Sequence, residues 1–176
     1  TWEHIDFEHR TIRIERQIQW HQNDRSKEEK EKHNGKSQPG AGYWYFSSPK
    51  YNSVRTIDMD EALAVTLERE YARQLRAEEY FGERYIRYYE NANHVIVKTP
   101  NENRIMFVCV RENGEYYNSR NMQYTSQIIH QQLNIPGFDY HSLRHTHATM
   151  LLDAGAPLKY IQYRLGHKNI DITLNV

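Results

Sequence analysis

The residues of this chain with the clearest chemical potential lie near its end, in His141-Ser142-Leu143-Arg144-His145-Thr146-His147-Ala148-Thr149 and again in Leu165-Gly166-His167. Residues three apart on a helix share a face, so His141 and Arg144 would present an imidazole and a guanidinium together. Arg144 offers five donors in one plane, a bidentate match for a phosphate, and it keeps its charge near neutrality. Gly166 can adopt a left-handed helix end and turn His167 back toward the preceding helix. Three such groups suit a trigonal-bipyramidal phosphoryl transition state, where positioning and charge matter more than covalent help. Each residue alone has a plainer reading: Arg144 in a structural ion pair, the histidines satisfying helix ends. The run as a whole points to phosphate. Zinc is a second reading, since His141 and His145 are i,i+4 and His147 is two further on. Against it, there is no HExxH, no cysteine lies nearby, and Arg144 between the imidazoles would repel a cation.

Local signals place these residues on elements. Asp139 or Tyr140 opens a helix that ends at Ala154-Gly155, and Pro157 starts another over residues 158–165, stopped by Gly166. Asn169 can cap a last helix with Ile170 and Leu174. Upstream, residues 119–134 read as a helix stopped by Pro136-Gly137. A longer helix is capped by Asp58 or Asp60, carries Leu63, Leu67, Tyr71 and Leu75, and runs toward Tyr89 with Gly82 as an interruption. Alternation predicts one strand over residues 11–20 and two more over 43–47 and 53–57. Residues 94–98 and 105–110 read as short extended segments, with a turn at 112–115. Trp2, Ile5 and Phe7 call for burial. Residues 21–42 are charged, contain Gly, Ser and Pro, and lack aliphatics, which predicts a mobile, solvated loop.

Composition sets the outer limits. The chain has 176 residues, enough for one domain with a real core. Lys+Arg and Asp+Glu number 23 each, so the net charge is zero, which argues against a general nucleic-acid binder but leaves room for a local basic cleft. Mean hydropathy is −0.94, no apolar run is long enough to span a membrane, and the first residues carry no signal pattern. The single cysteine, Cys109, can form no internal disulfide, in keeping with a reducing cytosol, and reads as a small buried residue on a strand.

From Tyr140 to Val176, HSLRHTHATMLLDAGAPLKYIQYRLGHKNIDITLNV and the tyrosine before it resemble, without a gap, the C-terminal catalytic motif of the tyrosine recombinases. The likeness is strongest to integrases of bacterial integrative elements and temperate phages. More loosely, TWEHIDFEHRTIRI resembles the strand entry after that family's first arginine helix. SPKYNSVRTI resembles its strand-turn-strand bearing the catalytic lysine.

The resemblance implies an α+β fold, a mostly helical catalytic domain with a small antiparallel β-sheet. Residues 1–176 would form a partial integrase catalytic domain without the family's N-terminal DNA-binding domains. Arg144 would be the second catalytic arginine, gripping the scissile phosphate. His141 would hydrogen-bond the phosphate or assist proton transfer from the nucleophile. His167 would donate to a non-bridging oxygen, and Lys50 would protonate the departing 5′ oxygen as general acid. His145 and His147 would be structural. No cofactor or metal is expected, because arginines and the lysine supply the charge that Mg²⁺ supplies elsewhere.

The expected partners are double-stranded DNA attachment sites and, in the parent protein, other protomers in a tetramer on DNA. The fragment itself is expected to be monomeric, with no membrane partner, and the parent to act on DNA in the bacterial cytoplasm. A tyrosine would attack a backbone phosphate, form a 3′-phosphotyrosine and release a 5′ hydroxyl. The family's first arginine would precede Thr1 and its nucleophile would follow Val176, so this chain alone is expected to be inactive. Two other classes stay open: a DNA-binding relative without chemistry, and a metal-dependent hydrolase built on His141, His145 and His147.

Overall fold

The computed structural model describes residues 1–23, 42–117 and 119–168, with only the backbone at 119 and 120. Its α+β architecture agrees with the expectation, but the described residues form three small antiparallel sheets rather than one. Strands β1 (Ile5–Asp6), β2 (Thr11–Ile14) and β5 (Arg55–Asp58) make the first, in the order β1-β2-β5, with Thr11 opposite Asp58 and Ile14 opposite Arg55. Strands β3 (Gln17–Gln22) and β4 (Gly42–Ser47) form a hairpin, and β7 (Ile96–Val97), β6 (Tyr88–Glu90) and β8 (Arg104–Ile105) form the third sheet.

The single strand expected over residues 11–20 is therefore two strands in different sheets. The chain breaks at Glu15-Arg16, where Arg16 binds Glu90 (2.7 Å) and Glu3 and lies 4.1 Å over the Phe46 ring. Alternation carries no information about which partner a strand takes, so this break was not visible locally. His21, Gln22 and Gly42 belong to the hairpin, which thus takes both ends of the expected loop. Residues 24–41, and the helix expected after Asn169, lie outside the described residues.

Helix α1 (Glu61–Phe81) opens with Asp60, whose Oδ1 accepts from the Leu63 amide at 2.7 Å, and it ends at Gly82 instead of running on toward Tyr89. Its inward face is turned relative to the leucine stripe: Leu63 and Leu75 are 37% and 45% exposed, whereas Ala64 and Gln74 are buried. Gln74 is satisfied there, accepting from the Trp2 indole and donating to Phe107 O at 3.0 Å. Phe46, Tyr88, Ile105, Phe107, Val110 and Tyr116 make the main core. Cys109 is exposed, not buried, because the alternation of Ile105 and Phe107 slips by one before Val110 turns inward.

Helix α2 (Ser119–Gln132) precedes α3 (Tyr140–Asp153) and α4 (Leu158–Leu165). Asp139 and Ser142 cap α3 reciprocally, with the Ser142 amide donating to Asp139 Oδ1 at 2.5 Å. Helices α3 and α4 pack through Ala148, Ile161 and Leu165, of which the first two are 0% exposed. Helix α4 is fastened to β5 by the Thr56 amide, which donates to the Tyr163 hydroxyl (3.1 Å), and by Arg164 Nη1, which donates to Asp58 O (3.0 Å). That junction sets the geometry of the site.

Candidate active site

Gly166 ends α4 in the left-handed conformation (φ 68°), and the His167 amide donates back to Gln162 O at 3.0 Å. The turn brings His167 against α3, where Arg144 Nε donates to His167 Nε2 at 3.2 Å and Arg144 Nη2 to Leu165 O at 2.5 Å. An imidazole that accepts at Nε2 is neutral and carries its proton on Nδ1. Consistently, the proton affinity of His167 is lowered, first by burial, then by the charge of Arg144, with His145, His141 and Arg55 adding to it.

Between β5 and the end of α4 lies an open cleft of about 340 Å³. Lys50, Arg144 and His167 all line it, three of the four residues singled out by sequence and up to 117 positions apart, taking 50 from 167. Lys50 sits on a single turn of 3₁₀ helix (Lys50–Asn52) in which Tyr51 and Asn52 adopt positive φ. Its side chain makes no hydrogen bond or ion pair among the described residues. His141 is placed differently. It is exposed on the first turn of α3, its ring 4.8 Å from that of His145, and it does not line the cleft. The hydrogen bonds of Arg144 go to His167 and Leu165 and none to His141, although the charge of His141 is felt at His167.

The cleft wall contains Arg16, Lys50, Arg55, Arg144 and Lys168 and no aspartate or glutamate. A chain of zero net charge thus concentrates positive charge at one place. Arg55 and Arg144 form no ion pair among the described residues. Burial lowers the proton affinity of both, and their mutual repulsion adds to it at Arg55, yet a guanidinium remains charged at neutral pH. The charge of such a wall is complementary to an anion with several negative oxygens. Sequence reasoning passed over Arg55 and Lys168. The signal for Arg55 was present: it shares with Ile57 the inward face of a strand, where a charged residue is unusual.

The metal alternative does not assemble. His147 Nε2 accepts from Arg164 Nε at 3.2 Å, and among the described residues no group of three or more histidine, cysteine or acidic side chains is placed to hold an ion. Tyr163 and Tyr160, the tyrosines that shortly precede His167, have structural bonds to Thr56 and Arg164. Among the described residues no helix is long and apolar enough to cross a membrane.

The phage integrase family model matches residues 1–176, and the chain belongs to that family, the tyrosine recombinases. A tyrosine recombinase XerC-like protein of Caldanaerobacter subterraneus subsp. tengcongensis is 29% identical over 176 residues, which cover 99% of this chain and 39% of that protein. The tyrosine recombinase XerC of Corynebacterium glutamicum is 35% identical over 96 residues, 53% of this chain and 30% of its own. Among solved structures, the Tn1549 transposon integrase in complex with a circular intermediate DNA superposes with a TM-score of 0.65 at 22% identity, over 99% of this chain and 46% of that one. That likeness establishes the fold. The chain spans less than half the length of these relatives.

Proposed function

We propose that this chain is the phosphate-gripping part of the catalytic domain of a site-specific recombinase, an enzyme that breaks and rejoins DNA through a tyrosine. The observation that carries the reading is the cleft itself, with five lysines and arginines and no carboxylate on its wall. Membership of the phage integrase family and the DNA-bound state of the Tn1549 relative support it.

In this reading Arg144 holds the non-bridging oxygens of the scissile phosphate with the donors it does not spend on His167 and Leu165. His167, anchored by Arg144, supplies a donor from the neighbouring turn. Lys50, on an exposed turn at the cleft edge, delivers a proton to the leaving 5′ oxygen. His141, on the first turn of α3, assists the phosphate or the nucleophile from outside the cleft wall. Fixed cations stabilise the developing charge, so the step runs without a divalent ion. Attack by tyrosine conserves the phosphoester as a 3′-phosphotyrosine, and a second 5′ hydroxyl reverses the step. The partners are duplex attachment sites and further protomers of the complete protein, met on DNA in the bacterial cytoplasm.

The test is the covalent protein–DNA band formed by the complete recombinase on a nicked duplex carrying its site, in the presence of chelator. The band should form, and Arg144→Ala should abolish it. Binding to the duplex without any covalent band would favour the DNA-binding relative without chemistry. A band that requires Mg²⁺ would remove the metal-free mechanism.

A further inference from the structure

An anion site at the C-terminal end of a helix is electrostatically wrong, because the last carbonyls carry the negative end of the helix dipole. The cleft lies at that end of α4. Two guanidiniums correct the sign. Arg144 Nη2 covers Leu165 O, and Arg55 donates from Nε to Arg164 O at 3.0 Å and, at the long limit of 3.4 Å, from Nη2 to Leu165 O. With Nη1, Arg55 also donates to Ser53 O at 3.0 Å, while the Ser53 amide donates to Lys50 O at 3.3 Å. One planar side chain therefore joins the turn that carries Lys50 to the turn that carries His167. Gly166 is part of the same fit: a β-carbon there would stand 2.6 Å from Arg55 Nη1.

We infer that Arg55 is a positioning residue of the recombinase site, holding the Lys50 turn and the Gly166-His167 turn in register and masking the negative end of α4 from the bound phosphate. The inference rests on the phosphate reading of the cleft. Lysine cannot replace it, since an ammonium is a point donor on a flexible stem and does not span two carbonyl groups with fixed geometry.

Two measurements on the complete recombinase test this, with Arg55→Lys and Lys50→Ala compared. The first is amide hydrogen exchange, which does not depend on chemistry. In Arg55→Lys, exchange at residues 50–54 and at 165–168 should speed up together, by about fivefold or more, the effect of losing one or two hydrogen bonds. Exchange around Phe107 should stay unchanged, showing an intact core. Lys50→Ala should leave residues 165–168 unaltered. Faster exchange at one turn only, or at neither, would overturn the coupling.

The second is single-turnover covalent-complex formation at saturating nicked duplex, with oxygen or sulfur at the 5′ bridging position. Sulfur leaves without a proton. Arg55→Lys should be slower on oxygen by about 10- to 100-fold, the range expected for a displaced catalytic group. It should recover in part on sulfur, which bypasses the share of the loss that runs through Lys50 and leaves the share that runs through the His167 turn. Equal loss on both substrates would sink the route through Lys50 and leave a merely structural role. If sulfur fails to rescue Lys50→Ala itself, the general-acid reading of Lys50 is what fails, and the exchange result still decides Arg55.

Discussion

Arg144 and His167 are 23 residues apart in sequence and meet through a hydrogen bond from Nε to Nε2 of 3.2 Å. The bond fixes two things at once. It holds the imidazole in the form that accepts from a guanidinium, and it leaves the remaining Arg144 donors on the cleft side of α3.

Arg144→Ala removes the anchor of His167 and, in the proposed reading, the main anion contact. In the complete recombinase, covalent-complex formation on a nicked duplex should fall by about 10²- to 10³-fold or more, the loss typical of removing an anion-stabilising donor. Arg144→Lys should not restore the rate, because it keeps charge and loses the fork. Recovery in Arg144→Lys to near the native rate would show that charge alone is sufficient.

The imidazole of His167 should titrate below its ordinary value of 6.5, because burial and then Arg144 oppose its charged form. The sign for stability follows. The unfolded chain takes up this proton more readily than the folded one, so stability is gained as pH rises from the lowered value to about 6.5 and is lost as pH falls through that window. His147, lowered by burial and by Arg164, has the same sign. Urea midpoints at about pH 7.5 and about pH 5.5 should differ more in the native chain than in His167→Gln. Inorganic phosphate should raise the titration midpoint of His167, followed by NMR, since a bound anion favours the charged imidazole. A midpoint unmoved by saturating phosphate would argue against an anion in the cleft.

Gly166→Ala should destabilise the fold by about 1–3 kcal/mol, the cost of a non-glycine residue held in a sparsely populated backbone region. The positive φ is one cause and the 2.6 Å approach of Arg55 the other. Arg55 can yield, being the end of a long side chain, but the atom in the way, Nη1, is the one that donates to Ser53 O. Denaturant unfolding of Gly166→Ala and Arg55→Lys, singly and together, should therefore give less than additive losses. Strict additivity would mean the two residues do not share a contact.

Two changes separate packing from capping. Ile161 is 0% exposed between α3 and α4, and Ile161→Ala should cost about 2–5 kcal/mol. Asp139→Ala should cost about 1 kcal/mol by uncapping α3, and should loosen His141 on the first turn before Arg144. Calorimetric unfolding ranks the two. A larger loss for the cap than for the core residue would contradict the packing described here.

The sequence by itself determined the helices beside the cleft and singled out three of the residues that line it. Asp139, Gly155, Pro157 and Gly166 are local signals whose chemistry acts within one turn, so α3 and α4 begin and end as the residue types dictate. Arg144, His167 and Lys50 were identifiable by type, spacing and likeness to a family. Tertiary structure alone decided who faces whom. It turned α1 so that Ala64 and Gln74 are buried while Leu63 and Leu75 stay partly exposed, and it split residues 11–20 between two sheets at Arg16. It left His141 outside the cleft wall and brought Arg55 into it. The reason is physical: caps and turns are satisfied by neighbours in the chain, whereas the carbonyls of Ser53 and Arg164 that hold Arg55 belong to different elements and meet only once β5 and α4 have packed.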